Sequence, residues 1–168
     1  MELVKLKELV NPVSSSLKMS QIKRNGKYSV YGASGICGYL DSYIIDKDYV
    51  AIVKDGSGVG HVHRLYPKQS FLGTMQGLVP KKDVYADYIF YLMQYLDLGS
   101  TCVGAAIPHI YFKNYGDIFV QKNDYSDQIM ISNNLSNICE MLEAKKSELK
   151  NLDELVKSRF ICQEWELC

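Results

Sequence analysis

A short glycine-rich segment, Lys54 to Gly60, carries residue types that suit binding of an anion. Its alternating glycines leave the backbone uncovered, while Lys54 and Ser57 offer an ammonium and a hydroxyl group. A dinucleotide site is not expected, because His61 to Leu65 alternate like a strand, whereas a pyrophosphate needs a helix N-terminus there. We expect a tight loop that allows close approach of a nucleic acid phosphate or base; a plain hairpin turn is the alternative.

A second group of hydrogen-bond donors follows this loop. His61 and His63 are two residues apart, so they share one side of a strand, and Arg64 lies beside them. A metal pair would need further ligands, and no Cys or carboxylate spacing supplies them, so we expect no metal. Donors that face a nucleic acid groove are the preferred interpretation.

The charges of the sequence are unevenly distributed, although the formal net charge is zero. Residues 1–123 contain 14 Lys and Arg against 10 Asp and Glu, whereas residues 124–168 contain 5 against 9. No acidic residue lies between Glu8 and Asp41, where four basic residues fall. The first part of the chain is therefore where a nucleic acid would bind. A solvated stretch without function is the alternative for the basic segment.

Length and composition indicate one compact domain with an appendage. The chain has 168 residues, 47% of them hydrophobic, which is enough for a core. No apolar run reaches the roughly 18 residues of a membrane span, and the N-terminus lacks a signal peptide, so we expect a cytoplasmic protein. The five cysteines never occur as C-x-x-C, which argues against a disulfide framework and a zinc knuckle.

The elements that must position the donors are short strands and one helix. Residues 4–10 predict a strand or a short helix, and Asn11-Pro12 with the serines after it predicts a loop. β-Branched and aromatic runs predict strands at Tyr28–Tyr31, Ile36–Leu40, Tyr43–Ile45, Tyr49–Lys54, Val59–Leu65, Phe71–Val79 and, irregularly, Ile110–Val120. The apolar spacing of residues 85–96 predicts a helix that begins near Asp83. The fold class is thus α+β, with a compact mixed sheet.

The C-terminal part of the sequence has a heptad period. Six apolar residues occupy its two seam positions: Leu135, Ile138, Leu142, Leu149, Leu152 and Val156. The predicted helix, residues 126–160, is about 50 Å long at 1.5 Å per residue, so we expect it to project as a coiled-coil helix that binds a second copy or a partner. A helix folded back on its own domain is the alternative. This gives domains at 1–125 and 126–160, with a tail at 161–168.

The order of these segments resembles a known family. Residues 27–39, K-Y-S-V-Y-G-A-S-G-I-C-G-Y, precede the Lys54 to Gly60 loop, then Gly104–His109 and the heptad helix with Lys145-Lys146. This order is similar to the target-recognition half of a type I restriction-modification DNA specificity subunit, over roughly residues 3–160. The resemblance implies recognition of double-stranded DNA without catalysis or a cofactor, because the family assigns methylation and cleavage to separate subunits.

The resemblance also implies an assembly. Family members normally carry two recognition domains and two helices, whereas this chain has one of each, so it looks like a half subunit. It would form a homodimer, bind a methyltransferase (modification) subunit and possibly a restriction subunit, and read a gapped, palindromic site. A detached recognition domain of a fused restriction-methyltransferase enzyme and a protein-interaction module that does not bind DNA are alternatives. The predicted DNA contacts are Lys23, Arg24, Lys27, Tyr31, Lys54, Ser57, His61, His63, Arg64, Thr74, Gln76, His109 and Lys113.

Overall fold

The computed structural model describes residues 2–102 and 108–165, and the side chains of residues 2–100 and 108–159. The chain divides into two compact units, Met1–Met130 and Ile131–Cys168. The described part of the first unit contains nine strands in three sheets, and the second unit is helical. Among the described residues, no helix combines the length and apolar character that crossing a membrane requires.

The bounds of the elements are as follows. The strands are β1 (Glu2–Lys5), β2 (Val10–Ser14), β3 (Tyr28–Gly32), β4 (Gly35–Leu40), β5 (Tyr49–Val53), β6 (Val62–Leu65), β7 (Ser70–Phe71), β8 (Met75–Pro80) and β9 (Phe119–Lys122). The helices are α1 (Leu6–Leu9), α2 (Ala86–Leu96), α3 (Phe112–Tyr115) and α4 (Tyr125–Trp165), with 3-10 turns at Met19–Gln21 and Leu98–Cys102.

The largest sheet has the strand order β2-β8-β5-β6 and is antiparallel throughout. Every residue of β5 is buried, because this apolar strand lies between β8 and β6. The second sheet has the order β4-β3-β7, in which β7 runs parallel to β3, and β1 pairs with β9 in a separate antiparallel ribbon. This architecture confirms the predicted α+β class with a long C-terminal helix.

The core lies between β5, β6, β7 and β8. Tyr49, Leu65, Phe71 and Met75 are all fully buried there, and each buried side chain of this size contributes about 1.5–3 kcal/mol. The Tyr49 hydroxyl donates a hydrogen bond to the carbonyl of Gln69 at 2.7 Å, and burial raises the pKa of the Tyr49 phenol. The core therefore fixes the strands that carry the Lys54 to Gly60 loop at their ends.

The strand predictions are correct for β3, β4 and β5, whereas β6 covers only Val62–Leu65 of the predicted Val59–Leu65, and the predicted Phe71–Val79 is divided between β7 and β8. Two other strand predictions and one loop prediction are wrong. Residues 41–48 form bends rather than a strand at 43–45. Pro12 lies in β2, opposite Leu78, and not in a loop, because β2 is an edge strand where a missing N–H is tolerated. Residues 110–120 contain α3 and the start of β9 instead of one continuous strand.

The helix predictions are correct in position but not in their bounds. α2 begins at Ala86 with Tyr85 as N-cap, because Asp83 has a positive φ of 60° that a helix cannot accommodate. α4 begins at Tyr125 and continues to Trp165, into the segment predicted as a tail. Its first turn is fixed by the buried Gln128, which accepts a hydrogen bond from the Tyr85 N–H at 2.8 Å and donates one to the Asn123 carbonyl at 2.8 Å.

Candidate nucleic-acid interface

Two segments that are far apart in the sequence form one exposed surface. The Ile110 N–H donates to the Lys54 carbonyl at 3.0 Å, and the Gly56 N–H donates to the Pro108 carbonyl at 3.2 Å. The carbonyl of Thr74 accepts from the Lys54 N–H at 3.0 Å, so a third loop joins them. We call the surface formed by residues 54–57, 74 and 109–113 the two-loop surface, after its two longer segments. It brings together five of the predicted DNA contacts: Lys54, Ser57, Thr74, His109 and Lys113.

The three glycines of the loop differ in what they permit. Gly56 has φ +91° and a Cβ there would meet nothing within 4 Å, so this glycine serves the turn and leaves the surface open. Gly60 has φ +89° and a Cβ there would lie 2.4 Å from the Gly99 nitrogen. A Cβ on Gly58 would lie 3.2 Å from that of Ala33. Of the three, only Gly56 leaves room for an approaching ligand.

His109 is held by a carboxylate at the centre of the two-loop surface. Its Nδ1 contacts the Asp55 carboxylate, and residues 55 and 109 also form a β-bridge. The Tyr111 ring lies against His109 with 3.8 Å between ring centroids, and the Lys113 ammonium lies 5.3 Å from the Tyr111 centroid. Tyr111 is 52% exposed.

Asp55 and Tyr111 are not among the predicted DNA contacts. Alternation could have found Tyr111, because His109 and Tyr111 are two residues apart and so share one side of the extended segment that precedes α3. Nothing in the sequence pairs Asp55 with His109, because their proximity depends on the β-bridge between two distant loops.

Tyr31 and His63 form a smaller cluster beside the loop. One ring nitrogen of His63, Nε2, hydrogen-bonds to the Ala33 carbonyl at 2.9 Å, and the Tyr31 centroid lies 5.9 Å from that of His63. These contacts join the β3–β4 turn to β6. His61 is exposed and shares a cavity of about 330 Å³ with His63. No group of three or more potential metal ligands occurs in the part of the chain that the structure describes.

Arg64 is occupied by carboxylates. Its guanidinium donates to Asp48 at 2.8 Å and to Asp87 in α2, and it lies 4.8 Å from the Tyr66 ring centroid. Burial lowers the pKa of Arg64, but the hydrogen bonds that its guanidinium donates to Asp87 and Asp48 outweigh this and leave the pKa raised, so the charge is retained. With a side chain only 13% exposed, Arg64 ties β6 to α2 and offers little to a ligand.

Gln76 is also occupied within the fold. It is buried in β8, and its amide nitrogen donates to the Val13 carbonyl at 2.7 Å while its oxygen accepts from the Ser14 hydroxyl at 3.4 Å. The amide that suits a base edge in sequence therefore links β8 to the edge strand β2. Gln76 and Arg64 are therefore not part of the surface that we propose for DNA.

The predicted basic segment lies along the outer edge of β4. The backbone of Lys23 exchanges two hydrogen bonds of 2.9 Å with that of Tyr39. Its ammonium pairs with Asp41, and this hydrogen bond holds the pKa of the Asp41 carboxyl below its usual range. Arg24 and Lys27 are exposed, with the Lys27 ammonium 5.4 Å from the Tyr28 ring centroid. This segment offers exposed positive charge on a different element from the two-loop surface.

One motif of the sequence lies mostly outside the described residues. Within Gly104–His109, residues 104–107 are not described, whereas Pro108 and His109 are. The part that the structure describes contributes the Pro108 carbonyl to the contact with Gly56.

The second unit carries the predicted heptad residues on a continuous helix. All six are exposed, from 36% at Leu135 to 62% at Leu149. Two pairs of side chains form ion pairs along the helix, Lys145 with Glu148 and Lys146 with Glu143, each at 2.7 Å. An apolar seam that a single helix leaves in water is typical of a helix that associates with another one.

Comparison with known proteins gives one family and one fold. The family model of the type I restriction modification DNA specificity domain matches residues 1–151. The structure of the type I restriction-modification S subunit from M. genitalium is similar with a TM-score of 0.69 and 21% identity, over 92% of this chain and 43% of that one. No curated protein matches the sequence.

Two further structures share the fold. The HsdS subunit from Thermoanaerobacter tengcongensis has a TM-score of 0.63 and 16% identity, over 85% of this chain and 38% of that one. A third structure, which concerns the complex assembly and conformational transition of the type I R-M system, has a TM-score of 0.66 and 16% identity. The match covers 85% of this chain and 39% of that one. This chain spans less than half the length of all three.

Proposed function

Because this chain belongs to the family of type I restriction modification DNA specificity domains, we propose that it recognises a specific sequence in double-stranded DNA and catalyses no reaction itself. The observation that carries this proposal is the two-loop surface, where backbone hydrogen bonds join the segment of Lys54 and Ser57 to the segment of Lys113. Ammonium groups of this kind neutralise phosphates, and hydroxyls and backbone N–H groups fix the register on the duplex.

The exposed basic segment at Lys23, Arg24 and Lys27 supplies further phosphate contacts in this proposal. His61, which is exposed directly after the loop, supplies a further donor, whereas His63 and Tyr31 pack beside it and position the loop in this proposal. Recognition then directs a methyltransferase subunit, and a restriction subunit where one is present, to the site.

The assembly we propose is a homodimer of half subunits. It is supported by the heptad seam, whose six apolar side chains are all exposed on the helix. Pairing of two heptad helices would join two recognition units in one assembly. A two-fold symmetric pair reads a palindromic site with unread base pairs between the half-sites.

DNA binding can be tested with the protein in complex with the modification subunit of its own system. The variant Lys54→Gln with Lys113→Gln removes two cations from the two-loop surface. We expect the plot of log affinity against log salt to become shallower by about 2, because two phosphate contacts release no counterions. The matched control, Lys150→Gln with Lys157→Gln, removes the same charge from exposed positions of the helix outside the seam and should leave the slope as in the wild type. Equal slopes in all three proteins would contradict the proposed surface.

The dimer is tested separately by light scattering. Leu142→Asp with Leu149→Asp places two charges in the seam and should convert a dimer into a monomer. Ser147→Asp with Asn151→Asp adds the same charge outside the seam and should remain dimeric. A dimer that survives the seam substitutions would place the contact elsewhere.

A further inference from the structure

Tyr111 is an exposed aromatic side chain whose position is fixed by its neighbours. His109 packs against its ring, and Asp55 in turn holds His109 through the contact with Nδ1. The backbone below it is anchored, because the Ile110 N–H donates to the Lys54 carbonyl at 3.0 Å. A ring that is 52% exposed and already immobilised loses little conformational freedom when it binds a ligand.

The groups around Tyr111 favour one kind of base edge. The Lys113 ammonium, 5.3 Å from the Tyr111 centroid, can donate hydrogen bonds but cannot accept them, and the Tyr111 ring offers an apolar face beside it. The surface therefore suits a base that presents an acceptor together with an apolar group. In the major groove thymine presents this combination, with its O4 acceptor next to the C5-methyl group, whereas cytosine presents an amino donor.

We propose that Tyr111 is a specificity-determining residue that recognises the C5-methyl group of a thymine in the major groove, with Asp55 and His109 as positioning residues. This inference rests on the proposed DNA-binding function and names the chemistry of one contact within it. The same arrangement disfavours 5-methylcytosine, which has the methyl group but turns an amino donor towards Lys113.

The test uses uracil in place of thymine, because uracil lacks only the methyl group. The recognised sequence is first selected from random DNA with the wild-type complex, and each thymine of the selected site is then replaced by uracil in turn. With wild-type protein we expect one position at which uracil weakens binding about fourfold, the effect of one buried methyl group. This measurement needs no variant to fold.

Three variants assign that effect to a side chain. Tyr111→Phe retains the ring and should retain the uracil penalty, whereas Tyr111→Ser should bind thymine and uracil equally at that position. The matched control is Tyr66→Ser, which removes a tyrosine of similar exposure that lies over Arg64. It should retain the full penalty.

Two kinds of failure are distinguishable. A wild-type complex that binds no DNA with sequence preference would contradict the proposed function and the inference with it. A complex that binds its site but shows no uracil penalty, or a Tyr111→Ser variant that retains the penalty, would overturn the role of Tyr111 alone.

Discussion

Two tyrosine clusters in the first unit are built from the same kinds of groups but differ in what they leave exposed. Tyr66 and Tyr111 are exposed to similar extents, 57% and 52%, and each lies beside a basic side chain. In the first cluster Asp87 binds Arg64, which is the basic side chain beside Tyr66. In the second cluster Asp55 binds His109, which packs against Tyr111. The chemistry of the residue types therefore does not distinguish them.

The difference is in how far the positive charge is satisfied within the fold. Arg64, beside Tyr66, faces both Asp48 and Asp87 and is mostly buried. Lys113, beside Tyr111, is exposed, and no ion pair to it occurs among the described residues. A satisfied cation stabilises the protein, whereas an exposed one is available to a phosphate or a base. A structural cluster therefore differs from a recognition surface in the ion-pair partners of its basic side chains, and not in its residue types.

The largest effect is expected at Arg64. Arg64→Met should lower the free energy of unfolding by about 3 kcal/mol, since two charge-assisted hydrogen bonds are lost and two carboxylates remain. Urea denaturation measures this change. Selection of bound DNA by the variant at a temperature where it is folded should return the wild-type sequence. A changed sequence with unchanged stability would place Arg64 in the recognition surface and contradict its structural role.

The same contrast between packed and open positions exists within the glycine loop. Gly60→Ala should lower the free energy of unfolding by about 2 kcal/mol, because the residue has a positive φ and its Cβ would collide with Gly99. Gly56→Ala should cost about 1 kcal/mol, because only the backbone conformation is strained there. Thermal unfolding of both variants checks the order. Equal losses would show that contact with Gly99 is not what requires Gly60.

The pair Asp55 and His109 should affect binding more than stability. Asp55→Asn and His109→Asn should each weaken DNA binding about fivefold, and the double variant no more than either one, because both act on the position of Tyr111. The free energy of unfolding should change by less than about 1 kcal/mol, since this pair is partly exposed. Additive losses in a double-mutant cycle of DNA affinity would contradict a shared role.

The smallest effect is expected from a single hydroxyl. Ser57 is exposed on the two-loop surface, and Ser57→Ala should weaken DNA binding about threefold, as for one net hydrogen bond. The control is Ser100→Ala, because the Ser100 hydroxyl already donates to the Asp97 carbonyl at 2.8 Å. It should leave the affinity unchanged. Equal effects of the two substitutions on DNA affinity would remove Ser57 from the site.

Local patterns in the sequence predict much of the fold. The apolar run of β5 and the aromatic runs of β3 and β4 are strong short-range signals, and the period of seven predicts α4. The split between β7 and β8, the strand at Pro12 and the start of α2 at Ala86 depend on tertiary pairing and on the backbone at Asp83. These features have no local signal, so the sequence could not place them.

The candidate site could be predicted in part. Residue type indicates Lys54, Ser57 and Lys113 as DNA contacts, and the structure brings them together. Residue type indicates Arg64 and Gln76 as well, but the partners that occupy them come from distant parts of the chain. Only the fold shows which donors are engaged.

Photo-crosslinking can show directly whether the two-loop surface contacts DNA. 5-Iodouracil, which carries an iodine atom in the position of the thymine methyl group, is placed at each thymine in turn. Mass spectrometry then identifies the protein residue to which it crosslinks in the complex with the modification subunit. We predict a crosslink to Tyr111 from one thymine position of the selected site. Crosslinks found at Tyr66 or on α4, with none within residues 54–57 or 109–113, would contradict DNA binding by the two-loop surface.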